Sequence, residues 1–172
     1  MKKTIKTLLI LLLPVVIIST SCNRKKSGTP SANAFDSLKI ISDSVMVIQQ
    51  QESANKKMVA VFYQELFGDK NIDAIDQYIG DTYIQHNPML PDGKEPLKEA
   101  TRKWFANAPK DTIDIQHLGA DGNFVYIHTR AKFGDKVASV IDIFRIENGK
   151  IVEHWDVIQN VPEKSANPHP MF

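Results

Sequence analysis

The stretch VIDIFRIENGKIVEHWD, residues 140–156, indicates a β-hairpin and so decides the fold around it. Apolar residues dominate both arms, and Asn148-Gly149 between them is the strongest short signal for a two-residue hairpin turn. Each arm also carries polar groups that a hairpin core does not need. These are Asp142, between two isoleucines, and the run His154-Trp155-Asp156. The hairpin is therefore a candidate site as well as a structural element.

Further strands extend this hairpin into a meander. Alternating apolar residues and glycine-containing breaks predict four antiparallel strands over residues 112–118, 124–133, 137–146 and 151–159. Helical periodicity comes before them, over residues 35–51, from Ser53 to Gly68, over 71–79 and over 97–108. Residues 81–96, DTYIQHNPMLPDGKEP, read as a long loop. Helices followed by a meander predict an α+β domain, with N-terminal helices packed on one face of a curved four-stranded antiparallel sheet.

The first residues are typical of an export signal. A basic start, an apolar run over residues 8–18 and small residues before Cys22 predict a signal peptide over residues 1–21. The apolar run is too short to span a bilayer. Cys22 is the only cysteine, and its place predicts acylation as in a bacterial lipoprotein, which would anchor the chain to the cell-envelope membrane. The alternative is plain cleavage that leaves a free cysteine.

Composition limits the rest of the chain. The length of 172 residues, with 42% hydrophobic and 24% charged, fits one globular domain, predicted over residues 53–161. Residues 22–34 read as a flexible tether, and 162–172 as a C-terminal tail. Residues 35–52 are either an extra helix of the domain or a stalk whose apolar stripe packs on something else, such as a second copy. This alternative stays open.

Charge and ligand spacing exclude some partners. Loss of the three lysines of the signal peptide changes the net charge from +1 to −2, which disfavours a nucleic-acid partner. The five histidines show no close ligand spacing, and so no metal is predicted.

Three pieces of the chain resemble the SnoaL-like polyketide cyclase family, of the nuclear transport factor 2-like fold. They are YIQHNPMLPDG (83–93), VYIHTRAKFGD (125–135) and VIDIFRIENGKIVEHWDVIQ (140–159). The resemblance implies a cone-shaped α+β fold, a homodimer, and acid-base chemistry on a hydrophobic carbonyl compound without cofactor. It also implies that Asp142 is the catalytic base and that His128, on the preceding strand, is its partner.

The pairing of these two residues depends on the turn between their strands. A three-residue turn at Gly134-Asp135-Lys136 would place His128 opposite Asp142, whereas a two-residue turn would put them on opposite faces. We expect the three-residue turn. A regular turn at Asn148-Gly149 would then bring Trp155 opposite Asp142 on the same face, where Trp155 is a candidate ligand contact. By simple alternation His154 and Asp156 point away from Asp142, unless a β-bulge redirects them.

Other candidate ligand contacts lie outside the hairpin. His86, in the loop expected over the mouth of the cone, reads equally well as a substrate contact and as a loop cap. Tyr83 and Trp104 are core aromatics first, with ligand contact as a second role.

Two functions fit this sequence. The first is a small acid-base enzyme of the aldol condensation, cyclase or isomerase type, with Asp142 as general base. The second is a lipid-anchored, non-catalytic binding module that holds a small apolar ligand in the cone.

Overall fold

The computed structural model describes residues 32–172, and their side chains from residue 35 onward. The predicted signal peptide, the lipidation site Cys22 and nearly all of the tether lie outside the described residues. Within the described part, no helix is long and apolar enough to cross a membrane.

One continuous helix takes the place of the two predicted at the N-terminus. Helix α1 covers Ala32–Tyr63 and runs directly into a π-helical turn, Gln64–Gly68. The expected break near residue 52 is absent because no glycine or proline interrupts the helix there. All residues from 35 to 51 are exposed, whereas the second half of the helix is packed into the domain.

Two shorter helices follow, close to their predicted positions. Helix α2 covers Ala74–Tyr78 and α3 covers Lys94–Phe105. Helix α3 begins three residues earlier than predicted. Pro96 fits its first turn, because the first N–H groups of a helix have no partner within the helix.

The sheet has five strands and is mixed, so the prediction of a four-stranded antiparallel sheet was incomplete. The strands are β1 (Ile79–Gln85), β2 (Asp114–Asp121), β3 (Phe124–Phe133), β4 (Lys136–Glu147) and β5 (Lys150–Asn160). Their order is β1-β5-β4-β3-β2, and β1 pairs in parallel with β5. The four antiparallel strands of the meander are confirmed. Strand β1 begins just before the predicted long loop and uses the free edge of β5.

The β3–β4 turn has two residues, so the expected three-residue turn was wrong. Phe133 pairs with Lys136, and Gly134 has a φ of 61° at the first central position. That conformation favours glycine and matches the type II′ hairpin turn. The pairing puts Ile127 opposite Asp142 and His128 opposite Ile141. His128 and Asp142 therefore lie on opposite faces of the sheet.

A β-bulge changes the register of the β4–β5 hairpin. The Asn148-Gly149 turn pairs Glu147 with Lys150 as predicted, but the register shifts between Arg145 and Ile146. Val152 is the extra residue, since Ile146 pairs with Ile151 and Arg145 with Glu153. Beyond the bulge, Asp142 pairs with Asp156. The prediction that Trp155 would face Asp142 is thus wrong, and His154 and Asp156 turn to the Asp142 face.

The core lies between the helices and the concave face of the sheet. Its largest fully buried side chains come from α1, the π-helical turn, α2 and the inner face of the sheet: Phe62, Leu66, Ile75, Ile79, Ile127 and Ile151. This packing of helices on one sheet face confirms the α+β class. It also encloses a few polar groups, which form the candidate site.

Candidate active site

Asp142 is a buried carboxylate whose two oxygens both have hydrogen-bond partners. It is 5% exposed, and its neighbours along the inner face of β4 are the apolar Val140 and Phe144. The Tyr63 hydroxyl donates to Oδ2 at 2.8 Å, and His154 Nε2 lies 2.9 Å from Oδ1. Burial without such partners would oppose folding, because a desolvated carboxylate is costly. Asp142 therefore lies on the inner face of the sheet, toward the helices.

His154 connects this carboxylate to β1. The residue is 8% exposed, and its ring stacks on Phe144 with centroids 4.9 Å apart. Its Nδ1 lies 2.8 Å from the side-chain oxygen of Gln85, the last residue of β1. The missed strand and the missed bulge together create this contact, because they bring Gln85 and His154 to the same place.

Tyr63 lies at the junction between α1 and the π-helical turn. A π-helical turn is rare and occurs frequently at functional sites. Burial, and then the adjacent Asp142 carboxylate, raise the pKa of the Tyr63 hydroxyl well above its ordinary value. The hydroxyl therefore keeps its hydrogen and acts as a donor to Asp142.

Asp156 extends the polar network toward the open end of the cone. Its Oδ2 accepts a hydrogen bond of 2.6 Å from the Asn87 side chain. Exposure rises along this face of β5, from 8% at His154 to 50% at Ile158. A ligand would thus meet Asp156 before it reaches Asp142.

The Gln85 amide fixes which nitrogen of His154 carries hydrogen. The backbone N–H of Asn87 donates to Gln85 Oε1 at 2.9 Å, which identifies that atom as the carbonyl oxygen. Since this oxygen also faces His154 Nδ1, Nδ1 must carry a hydrogen. His154 Nε2 and Asp142 Oδ1 then need one further hydrogen between them. Either His154 is an imidazolium beside a carboxylate, or neutral His154 accepts from a protonated Asp142.

The same groups include possible metal ligands. Asp142, His154 and Asp156 can each offer one ligand atom, and these atoms lie within 4.8 Å of one another. Carboxylate and imidazole suit several divalent cations. An ion would have to displace existing hydrogen bonds, because both oxygens of Asp142 and both nitrogens of His154 are engaged. The geometry therefore serves proton transfer more directly than metal binding.

His128, the predicted partner of Asp142, lies on the outer face of the sheet. Its Nδ1 is 2.9 Å from Nδ1 of His117, and its Nε2 is 2.7 Å from the Ser139 hydroxyl. The ring of Phe172, at the end of the C-terminal tail, stacks beside it at 6.1 Å. The pairing predicted for the site is thus wrong, because the two-residue turn reverses the face that His128 occupies.

Two of the predicted ligand contacts also lie on the outer face. His86 stacks on Trp155 with ring centroids 4.4 Å apart, and its Nε2 is 2.9 Å from Glu153 Oε1. Arg145 Nε donates to the other Glu153 oxygen at 2.6 Å. These contacts connect the end of β1 to β4 and β5 on the side away from Asp142.

The other two predicted ligand contacts, Tyr83 and Trp104, lie in different environments. Tyr83 is 4% exposed and its hydroxyl accepts from Gln85 Nε2 at 3.1 Å, which places it next to the network. Trp104 is 52% exposed on α3. Of the four predicted ligand contacts, Tyr83 is the one joined to the polar network.

The sequence pointed weakly to the residues that surround Asp142. Tyr63 is next to Phe62 in an apolar helical pattern, which favours a core role. His154 needed the bulge, and Gln85 needed the parallel pairing of β1. The available signal was the run His154-Trp155-Asp156, which places two polar residues in the second arm of the hairpin.

The family model described as SnoaL-like domain matches residues 59–154. A proposed polyketide cyclase from Acidithiobacillus ferrooxidans is 22% identical, with a TM-score of 0.52 over 61% of this chain and 87% of that one. A proposed ketosteroid isomerase from Kribbella flavida is 12% identical, with a TM-score of 0.54 over 68% and 86%. An LEH-like epoxide hydrolase of M. tuberculosis is 18% identical, with a TM-score of 0.50 over 63% and 84%. These likenesses show a shared fold, and no curated protein matches the chain.

Proposed function

Because the chain belongs to the SnoaL-like domain family, we propose that it is a small acid-base enzyme acting on a hydrophobic carbonyl compound. Asp142 is the general base in this proposal, with His154 in place of His128 as its partner. The observation that carries it is the buried group in which Tyr63 and His154 hold the two oxygens of Asp142. Apolar walls exclude water from this carboxylate, and Tyr63 and His154 keep it in one orientation.

The proposed reaction begins with transfer of a proton from carbon to Asp142. The electron pair of the C–H bond moves onto the carbonyl oxygen and forms an enolate. In an aldol reaction the enolate carbon bonds to a second carbonyl, and in an isomerisation it takes the proton back at another carbon. This step requires the form in which Asp142 is a carboxylate and His154 is an imidazolium. Tyr63 and His154 then orient the carboxylate, and each has a hydrogen to donate as negative charge moves to the substrate oxygen.

A non-catalytic binding module is the second candidate, and one observation favours it. Both oxygens of Asp142 already have partners, and the side chain is nearly inaccessible. Such a network can have a purely structural role, in which it fixes the shape of an apolar cavity. In the envelope, the predicted lipid on Cys22 would then keep the bound ligand near the membrane.

Histidine variants on the two faces of the sheet separate these functions. In assays with a panel of hydrophobic carbonyl substrates, Asp142→Asn should lower turnover at least about a hundredfold while ligand affinity changes little. His154→Gln should also lower turnover. The matched control, His128→Gln, changes the same residue type on the outer face and should have no effect.

Each outcome distinguishes the candidates. A loss of turnover in His128→Gln but not in His154→Gln would refute the proposed dyad. Binding without turnover for every substrate, with affinity altered by Asp142→Asn, would favour the binding module. Turnover that disappears with a chelator and returns with a divalent cation would instead assign Asp142, His154 and Asp156 to a metal site.

A further inference from the structure

The first half of α1 projects from the domain with an unpartnered apolar stripe. Leu38, Ile41, Val45 and Ile48 are between 45% and 59% exposed. Their spacing alternates between three and four residues, as in the a and d positions of a coiled coil. Most of the stability of a helix in a protein comes from packing of its apolar face, so this stripe is expected to pack against a partner.

The same stripe continues into the domain without a change of phase. Continued at steps of three and four residues, it passes through Glu52 and Asn55 and reaches the buried residues Val59, Phe62 and Leu66. Inside the domain the sheet covers this face. A partner of the projecting half must therefore lie on the side of α1 that faces the sheet in the second half of the helix.

The composition of residues 35–51 favours a helix of the same kind over a lipid surface. The segment contains two aspartates and one lysine, so its net charge is negative, which disfavours binding to anionic lipids. That lysine, Lys39, pairs with Asp43 at 2.9 Å along the helix itself. Ser42 and Ser44 flank the stripe, so that two copies could approach without like charges meeting.

The β2–β3 turn determines the direction of pairing. Gly122 in this turn donates its N–H to Glu52 at 2.8 Å and accepts from the Asn55 side chain at 3.4 Å. The stripe is therefore occupied by the chain's own domain from residue 52 onward. In a parallel pair, the domain of the second copy would collide with the domain that already occupies the stripe from residue 52 onward. In an antiparallel pair, the helix of the second copy ends near residue 52, and its domain lies at the other end of the pair.

From this geometry we propose that residues 35–51 form an antiparallel helix pair with a second copy of the chain. Leu38 of one copy packs against Ile48 of the other, and Ile41 packs against Val45. The two domains then lie at opposite ends of the pair. This interface is separate from the site and from the outer face of the sheet.

Disulfide trapping tests the proposal in the full-length chain in detergent, with Cys22→Ser removing the native thiol. The variant carrying Leu38→Cys and Ile48→Cys should form an interchain disulfide between positions 38 and 48, identified by peptide mass spectrometry. The two positions are about 15 Å apart along one helix, so a link within one chain is excluded. Because two heptads give weak pairing, covalent capture is more sensitive than sedimentation.

A matched control uses Ile40→Cys and Val47→Cys, which are 67% and 65% exposed but lie off the stripe. It should cross-link at least about tenfold more slowly. Links only between identical positions, 38 to 38 and 48 to 48, would overturn the antiparallel arrangement. Absence of cross-linking, or equal rates in the control, would overturn pairing altogether. Binding of residues 35–51 to anionic vesicles in place of cross-linking would assign the stripe to a membrane.

Discussion

At the scale of single residues, the site depends on the protein groups that form hydrogen bonds with Asp142. Two hydrogen bonds, one from Tyr63 and one shared with His154, replace water at a carboxyl group that is almost fully buried. Gln85 then determines the hydrogen on His154, because its oxygen accepts from the fixed backbone N–H of Asn87. The proton available to the dyad is thus controlled by a residue that does not touch Asp142.

Replacement of Gln85 should change the position of this hydrogen. In ¹⁵N-labelled protein near neutral pH, we expect His154 Nδ1 to carry a directly bonded hydrogen. Gln85→Leu removes the acceptor, so the hydrogen should move to Nε2, where Asp142 can accept it. Heteronuclear NMR of the imidazole nitrogens measures the change, and turnover should fall with it.

Gln85→Glu provides the control, because a carboxylate can accept from both Asn87 and His154 and should keep the hydrogen on Nδ1. If the wild-type protein already shows a bare Nδ1, the Gln85 amide has the opposite orientation. Nε2 would then donate to Asp142, and the dyad would hold no additional proton.

At the scale of elements, the alternation of β4 was predictable and the registers of its neighbours were not. Ile141, Asp142 and Ile143 alternate between faces as their sequence indicates, since period 2 is a local property of a strand. The β3–β4 register depends on one turn residue. Gly134-Asp135 matches the Gly-X preference of a type II′ turn, and this signal could have given the correct pairing.

The bulge at Val152 and the pairing of β1 had no comparable local signal. Both depend on contacts between distant parts of the chain: β5 is held by β4 on one side and by β1 on the other. The run from Ile79 to Gln85 has glycine and aspartate where a strand usually has apolar residues. The fold class was therefore predictable from the sequence, but the histidine predicted to pair with Asp142 was the wrong one.

Glu153 connects β4, β5 and the end of β1, which predicts a pH-dependent contribution to stability. A hydrogen bond with His86, and then one from Arg145, hold the pKa of Glu153 below its ordinary value. A lowered carboxyl pKa stabilises the fold above the ordinary value of 4.5, and the effect is lost as pH falls through the folded pKa. Glu153→Gln should thus lower the free energy of unfolding near pH 7 by at most about 1 kcal/mol.

Urea denaturation at several pH values would measure this effect. The difference from wild type should disappear as the pH falls through the lowered pKa of Glu153. Glu147→Gln is a suitable control, because Glu147 contacts the same arginine at 3.3 Å but its side chain is 58% exposed. An equal loss of stability in the control, or a constant difference down to acid pH, would contradict the assigned role of Glu153.

At the scale of the whole molecule, the outer face of the sheet is expected to form a symmetric dimer. Tyr126, Ile141 and Val157 are 38%, 42% and 65% exposed on neighbouring strands of this face. Ile141→Glu should halve the mass of the assembly in sedimentation, because it would bury two unpaired charges at a two-fold interface. Met89→Glu, at an 83% exposed loop position, should leave the mass unchanged. If the Ile141→Glu variant and the wild-type protein form assemblies of the same mass, this face is not an interface.

The location of the molecule gives the final prediction, since it determines which substrates the site could meet. If Cys22 is acylated, the mature chain carries its lipid before the tether, and the domain remains close to a membrane surface. Inhibition of lipoprotein signal peptidase by globomycin should cause the unprocessed precursor to accumulate. Cys22→Ser should abolish labelling with radioactive palmitate. A chain that starts at residue 32 lacks Cys22, so it should no longer sediment with the membrane fraction. Persistent membrane association of that shortened chain would mean that the exposed stripe of α1, and not a lipid on Cys22, holds the protein at the membrane.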